Sequence, residues 1–251
     1  KTYERVISLI DCQELNKIEV IKRLNLENVI CTWDALNTQK ANVKAVMSKG
    51  GDYCVALKAN QENFYKDVQD YFDEDRLLII KSGYEGGYQL TREKNHEAVI
   101  TYEYYQTEKV NWYAEKELWE GLKSIGLVKK SIEKSDGTKV EEKRYYISSL
   151  LLNINLFSYA IRTHWNVENK LHWHMDFTFK CDDNTTMNKK ALYNLQIIKK
   201  FCLTILNEVK KHQNRSLKRI RKSISRNIER ETVEIFKILR NFDTSTISKA
   251  R

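Results

Sequence analysis

Two short apolar runs separated by stretches of helical spacing constrain this chain more than any other feature. Asn28-Val-Ile-Cys-Thr-Trp33 reads as a buried strand ending in Asp34, and Tyr53-Cys-Val-Ala-Leu57 reads as a second one. Before the first, residues 16–25 place Ile18, Ile21 and Leu24 on one helical side. Between the two, residues 38–49 read as a helix stopped by Gly50-Gly51, and residues 61–72 read as a further helix. This β-α-β-α order predicts an α/β fold with a parallel sheet flanked by helices.

From about residue 77 to 150 the pattern changes to short β-like pieces: 98–106 (AVITYEYYQ), 125–133 (IGLVKKSIE) and 139–149 (KVEEKRYYISS). Ser135-Asp-Gly-Thr138 joins the last two as a hairpin turn. After Asn153 the spacing is helical again, broken near 176–186, and the chain ends in basic helices from about 187 to 241. The predicted organisation is the first part of a core over 1–76, a mainly antiparallel β insertion over 77–150, a helix completing the core over 151–186, and a basic helical region over 187–251. A chain of 251 residues has room for one domain with a large insertion or for two small ones.

One carboxylate stands out. Phe157, Ile161, Trp165, Glu168, His172 and Met175 fall on one helical stripe whose apolar members must face a core. An ionised carboxylate in that stripe requires a cation, a hydrogen-bonding partner or a raised pKa, so Glu168 is a metal-ligand candidate. His164 and His172, one turn away on either side, are auxiliary candidates. The plainer alternative is that the three satisfy one another at a half-buried edge. A zinc site built from His164, Glu168 and His172 is disfavoured, because ligands spread over two turns span about 12 Å.

The balance of 43 Lys+Arg against 34 Asp+Glu gives a net charge of +9, which favours a polyanionic partner, nucleic acid first. Residues 187–230 concentrate this charge, with thirteen Lys/Arg against Glu208 and Glu229. Lys218, Arg219 and Lys222 are candidate DNA contacts in that stretch, with a merely solvated helix as the alternative. Five cysteines without a C-x-x-C pair suit reduced thiols, and there is neither a long apolar run nor a secretory leader. The expected setting is intracellular, with no membrane association. The chain opens on Lys1 and reads like the interior of something longer, so a preceding segment is expected.

Four spaced motifs occur in one order. They are Thr32-Trp-Asp34-Ala-Leu-Asn-Thr-Gln39; Gly51-Asp-Tyr-Cys-Val-Ala-Leu-Lys58-Ala-Asn-Gln61; Tyr145-Tyr-Ile-Ser-Ser149; and Ile161-Arg-Thr-His-Trp-Asn-Val-Glu168-Asn-Lys-Leu-His-Trp173 with Asp176-Phe-Thr-Phe179. Over about residues 28–210 the chain resembles bacterial insertion-sequence transposases of the H-repeat-associated type, within the DDE superfamily. The resemblance implies an RNase H-like catalytic core in which three acids hold two Mg²⁺ or Mn²⁺ ions. Such a site cleaves phosphodiesters at transposon ends and transfers strands to target DNA.

Asp34 matches the second acid and Glu168 the third. The first has no match: in that fold it lies on an opening strand, with two more strands and a helix before the second acid. The 33 residues ahead of Asp34 cannot hold that much backbone, which makes Asp11 a poor substitute and places the first acid upstream. Without the resemblance, Asp34 would read as an ordinary turn or cap residue.

Lys58 and Asn60, after the second strand, are candidate backbone contacts to DNA, and Arg162 and Lys170 flank Glu168 where they could steer it. Tyr102, Tyr104 and Tyr105 either stack on bases or belong to the core. Asn95-His96-Glu97-Ala98 replaces a His-Gly-Arg stretch that many members carry, and His96 is left without a role. The resemblance further implies double-stranded DNA as partner, a homodimer on DNA and a nucleoid-associated place in the bacterial cytoplasm. The competing function is a non-catalytic DNA-binding remnant of such a transposase.

Overall fold

A computed structural model describes residues 2–9, 17–95, 98–167, 179 and 185–240. The chain divides into two compact units, Lys1–Val167 and Glu168–Arg251.

The first unit is built on a seven-stranded sheet in the order β1-β2-β3-β7-β6-β5-β4. β1 (Arg5–Ser8), β2 (Val29–Thr32) and β3 (Asp52–Leu57) are parallel, as the β-α-β-α order requires. The crossovers carry α1 (Lys17–Arg23) and α2 (Lys40–Ser48), and α3 (Glu62–Tyr71) and α4 (Glu74–Lys81) follow β3. β4 (Gly87–Asn95), β5 (Ala98–Thr107), β6 (Ser124–Lys134) and β7 (Lys139–Ser148) form an antiparallel meander. This meander continues the sheet itself, because β7 pairs antiparallel with β3 from Cys54↔Ser148 to Leu57↔Tyr145.

Alternate side chains of the sheet enter two cores, as the period of a strand dictates. Val29, Cys31, Tyr53, Val55, Leu57, Ile125, Leu127, Tyr145 and Ile147 pack on one side with Ile21, Val43, Val46, Phe64, Val68 and Ile80 of the first four helices. Ile30, Cys54, Tyr102, Tyr104, Val128 and Tyr146 face the other side. There they meet Phe157, Ile161 and Trp165 of α5 (Ile154–Val167). The stripe expected on this helix is thus buried as far as Trp165. Gly126 lets α5 lie close: a Cβ there would stand 2.2 Å from Phe157 Cζ.

Three elements differ from the sequence expectation. α4 runs into the segment that begins the β-like pattern, because the Asp73 side chain caps it by accepting from Arg76 N at 2.7 Å, and Leu77 and Ile80, three apart, share its buried face. β1 and β4, the two edges of the sheet, carried too little apolar alternation to be anticipated.

In the second unit α6 (Lys189–Gln213), α7 (Leu217–Arg226) and α8 (Ile228–Arg240) pack around Leu203, Leu206, Val209, Leu217 and Ile220. Asn188 caps α6 and Ser216 caps α7, each accepting from the backbone N–H three residues on.

Candidate functional site

Asp34 follows buried Trp33 beyond the end of β2. Its position is the N-cap of a 3-10 turn, Ala35–Asn37, with φ −67° and ψ 152°. A capping aspartate would bond the turn's backbone N–H groups; the Asp34 side chain makes no such bond. Its Oδ1 lies instead 3.3 Å from His164 Nε2, reaching from strand end to α5.

The loop that presents Asp34 is tied to the loop after β3. Thr38 Oγ1 donates to Ala56 O at 2.7 Å, Asn60 Nδ2 to Ala35 O at 2.8 Å and Gln61 Nε2 to Thr38 O at 3.1 Å. Asn42 Nδ2 holds Asn37 O from within α2 at 2.8 Å. Motif residues Thr38, Asn60 and Gln61 therefore fix the backbone around the aspartate. The Asn60 amide, a sequence candidate for DNA contact, is committed at its N–H end to this tie.

His164 is 6% exposed, on the sheet-facing side of α5. Its Nδ1 lies 2.6 Å from Ser8 Oγ, at the end of β1, and 3.4 Å from Thr32 Oγ1, at the end of β2. With Nε2 at Asp34, both ring nitrogens are engaged by protein, an arrangement ill suited to ligating zinc. Cys31, one residue before Thr32, has its thiol pushed up to about 12 by burial and secondarily by Asp52, which makes it inert packing rather than a ligand.

Asp34 keeps its side chain 41% exposed. A partly open carboxylate oxygen is the donor that Mg²⁺ or Mn²⁺ prefers, so this end of the sheet fits one ligand of such an ion. Among the described residues there is no group of three or more His, Cys, Asp or Glu that could hold a metal. Glu168, Lys170 and His172, and also Asp11 and His96, lie outside the described residues.

The remaining candidates are placed as follows. Lys58 is exposed just after β3. Arg162 pairs with Glu93 of β4 and lies with its guanidinium 4.8 Å from the centroid of the Tyr102 ring, so it helps seat α5 on the meander. Tyr102, Tyr104 and Tyr105 are buried and belong to the two cores, not to a stacking platform. In the second unit Lys218, Arg219 and Lys222 are exposed on α7, opposite buried Leu217 and Ile220. Ser8 was not anticipated, and Thr32 was read only as the first residue of the Asp34 motif; a single hydroxyl on a strand gives no sign of the partner it meets.

Comparison with known proteins bears on this arrangement. No protein-family model matches the chain. A protein of Escherichia coli O157:H7 named "Putative transposase YncI" is 29% identical over 215 residues, covering 83% of this chain and 53% of that protein. The Escherichia coli K12 protein named "H repeat-associated putative transposase YhhI" is 29% identical over 198 residues, covering 76% of this chain and 51% of that protein. The K12 protein named "Putative protein YbfL" matches to the same extent. The chain thus spans about half the length of these curated relatives, and they bear out the resemblance that the four motifs carry. Among solved structures, Streptomyces venezuelae DesVI matches with a TM-score of 0.24 at 8% identity, over 57% of this chain and 52% of that one, too low to describe the fold.

Proposed function

With two relatives along most of its length named "putative transposase", one of them H repeat-associated, we propose that this chain is the catalytic region of a DDE-type DNA transposase with an RNase H-like core. Its reaction is metal-dependent phosphodiester cleavage at the ends of an insertion sequence and strand transfer to target DNA. The observation that carries this reading is the meeting of Asp34 with His164, which brings α5, carrying the Ile161–Val167 part of the fourth motif, to the strand end bearing the matched aspartate. Three parallel strands flanked by helices, with the acid just beyond the middle strand, further support it.

Asp34 and Glu168 would hold Mg²⁺ or Mn²⁺ through carboxylate oxygen, together with an acid contributed from outside residues 1–251. Such a pair of ions, when bound, activates the attacking water or 3′-hydroxyl and stabilises the leaving oxygen. The chain's own part is to hold these carboxylates at fixed positions and to grip the duplex. Exposed Lys58, just after β3, and Lys218, Arg219 and Lys222, on α7, would supply phosphate contacts, with Lys170 a further candidate from its place in the fourth motif. Two copies would bring two transposon ends together, in the bacterial cytoplasm at the nucleoid. No helix among the described residues is long and apolar enough to cross a membrane.

The test uses the gene product expressed with the in-frame sequence that flanks residues 1–251. It should nick DNA carrying the element's own ends in Mg²⁺ or Mn²⁺. Asp34→Ala and Glu168→Ala should each abolish nicking while DNA binding persists. A protein that binds DNA and never cuts it with either ion would be a DNA-binding remnant instead.

A further inference from the structure

His164 occupies a position where a histidine must be explained. It lies between Ile161 and Trp165 on a helix face that packs into an otherwise apolar core, and a buried polar ring persists there only if its hydrogen bonds are made. For the neutral ring, the bonds it makes select one tautomer. An ionised Asp34 carboxylate can only accept, so the nitrogen beside it, Nε2, carries a hydrogen. In the neutral ring Nδ1 is then the acceptor, and the Ser8 hydroxyl donates to it across 2.6 Å. Thr32 Oγ1, 3.4 Å from the same nitrogen, donates to Ile7 O and closes the pocket around the ring.

We propose that His164 is a positioning residue. Held from behind by Ser8, its ring fixes Oδ1 of Asp34 and so sets the orientation in which that carboxylate meets a divalent cation. A half-exposed aspartate at the end of a strand otherwise samples several rotamers, and each binding event must bear the entropy of selecting one. Three elements, β1, β2 and α5, converge to remove that freedom, and the Ser8 hydroxyl, free to donate, matches the tautomer that the Asp34 carboxylate selects. Partners that orient a ligating side chain in this way commonly change metal affinity or activity by about 10–100-fold when removed. The inference rests on Asp34 being a metal-binding carboxylate, as proposed above.

The test reads Mn²⁺ binding by electron paramagnetic resonance, and separately the Mn²⁺ concentration that half-saturates nicking, on the gene product with its flanking sequence. Asp34→Ala calibrates the premise: if it binds Mn²⁺ as the parent does, the metal reading of Asp34 fails. Given loss in Asp34→Ala, His164→Leu should weaken Mn²⁺ binding about 10–100-fold. His164→Gln, whose amide nitrogen reaches the place of Nε2, should recover most of it, whereas His164→Asn, which reaches the place of Nδ1, should not. Ser8→Ala, a milder change, should weaken binding in the same direction. Mn²⁺ affinity unchanged in His164→Gln, His164→Asn and Ser8→Ala alike would overturn the proposal, since a purely structural histidine predicts that result. Equal losses in His164→Gln and His164→Asn, with tryptophan fluorescence reporting an intact fold, would overturn it as well.

Discussion

Gly126→Ala in β6 tests how α5 is seated. The added Cβ would stand 2.2 Å from Phe157 Cζ and 2.8 and 2.9 Å from the two Cε carbons. Ordinary contact begins near 3.4 Å, so the ring must retreat by the difference from 2.2 Å, about 1.2 Å. Phe157 is fully buried and the Tyr146 ring stands edge-on to it at 5.9 Å, so a retreat has to move the helix or force an unfavourable rotamer. Overpacking of this kind costs about 1–3 kcal/mol, which for a unit of this size lowers Tm by roughly 2–4 °C per kcal/mol. Phe157→Ala alone should cost about 3–5 kcal/mol through the cavity it leaves. In that background the methyl group added at position 126 enters empty space, so the penalty of Gly126→Ala should vanish and the coupling between the two sites should reach at least about 1 kcal/mol. Urea unfolding followed by tryptophan fluorescence measures this directly, because Trp33, Trp112, Trp119 and Trp165 all lie in the first unit. Additivity to within about 0.5 kcal/mol would refute the reasoning. His164 lies seven residues beyond Phe157 on the same helix, and a 2.6 Å bond to Ser8 has little slack, so the single variant should also weaken whatever Asp34 binds.

Glu103 should make stability fall with acid. Burial alone would raise its carboxyl, but the Tyr88 hydroxyl at 2.8 Å, the Lys81 ammonium and the Tyr105 hydroxyl at 3.2 Å outweigh burial and hold it below the usual carboxylate range. A carboxylate lowered by folding contributes stability above its unfolded pKa of about 4.3, and that contribution is lost as pH drops through the folded value. Between pH 7 and pH 3 the urea midpoint should therefore fall further for the parent than for Glu103→Gln, and parallel curves would contradict this. With burial holding Cys31 up to about 12 and Cys54 higher still, neither thiol should react with a disulfide reagent at pH 8 while the protein is folded. Among the three described cysteines, half-buried Cys202 should react first, and labelling of Cys31 ahead of it seen by mass spectrometry would count against the packing described. Charge reversal of Lys218, Arg219 and Lys222 to Glu should weaken DNA binding and flatten the dependence of log K on log salt by up to about 0.9 for each phosphate no longer neutralised. An unaltered slope would remove α7 from the interface.

The sequence was most legible where apolar runs were continuous. β2 and β3 lie within a residue of where Asn28–Trp33 and Tyr53–Leu57 put them, and the Ser135–Thr138 turn closes the β6–β7 hairpin with Gly137 at φ +83°. The sheet's edges were not legible, since Arg5–Ser8 and residues 87–94 are half solvated and carry weak alternation. Nor was the pairing of β3 with β7, because partners almost a hundred residues apart leave no local trace. At the candidate site Asp34 was found through its motif, and α5 through its stripe. The company Asp34 keeps was hidden, because Ser8, Thr32 and the loop ties of Asn60 and Gln61 act through single hydrogen bonds whose donors look ordinary in sequence.

β7 stands fourth of seven strands, yet it is the last of them to leave the ribosome. Until residue 148 emerges, the nascent chain can hold two half-sheets, each with an unsatisfied rim, β3 on one and β6 on the other. One late strand seals both rims at once, as a keystone closes an arch. Truncation or stalling within residues 139–148 should therefore strand two sticky fragments rather than one shortened domain, and the aspartate at the end of β2 would not meet its histidine until that closure was complete.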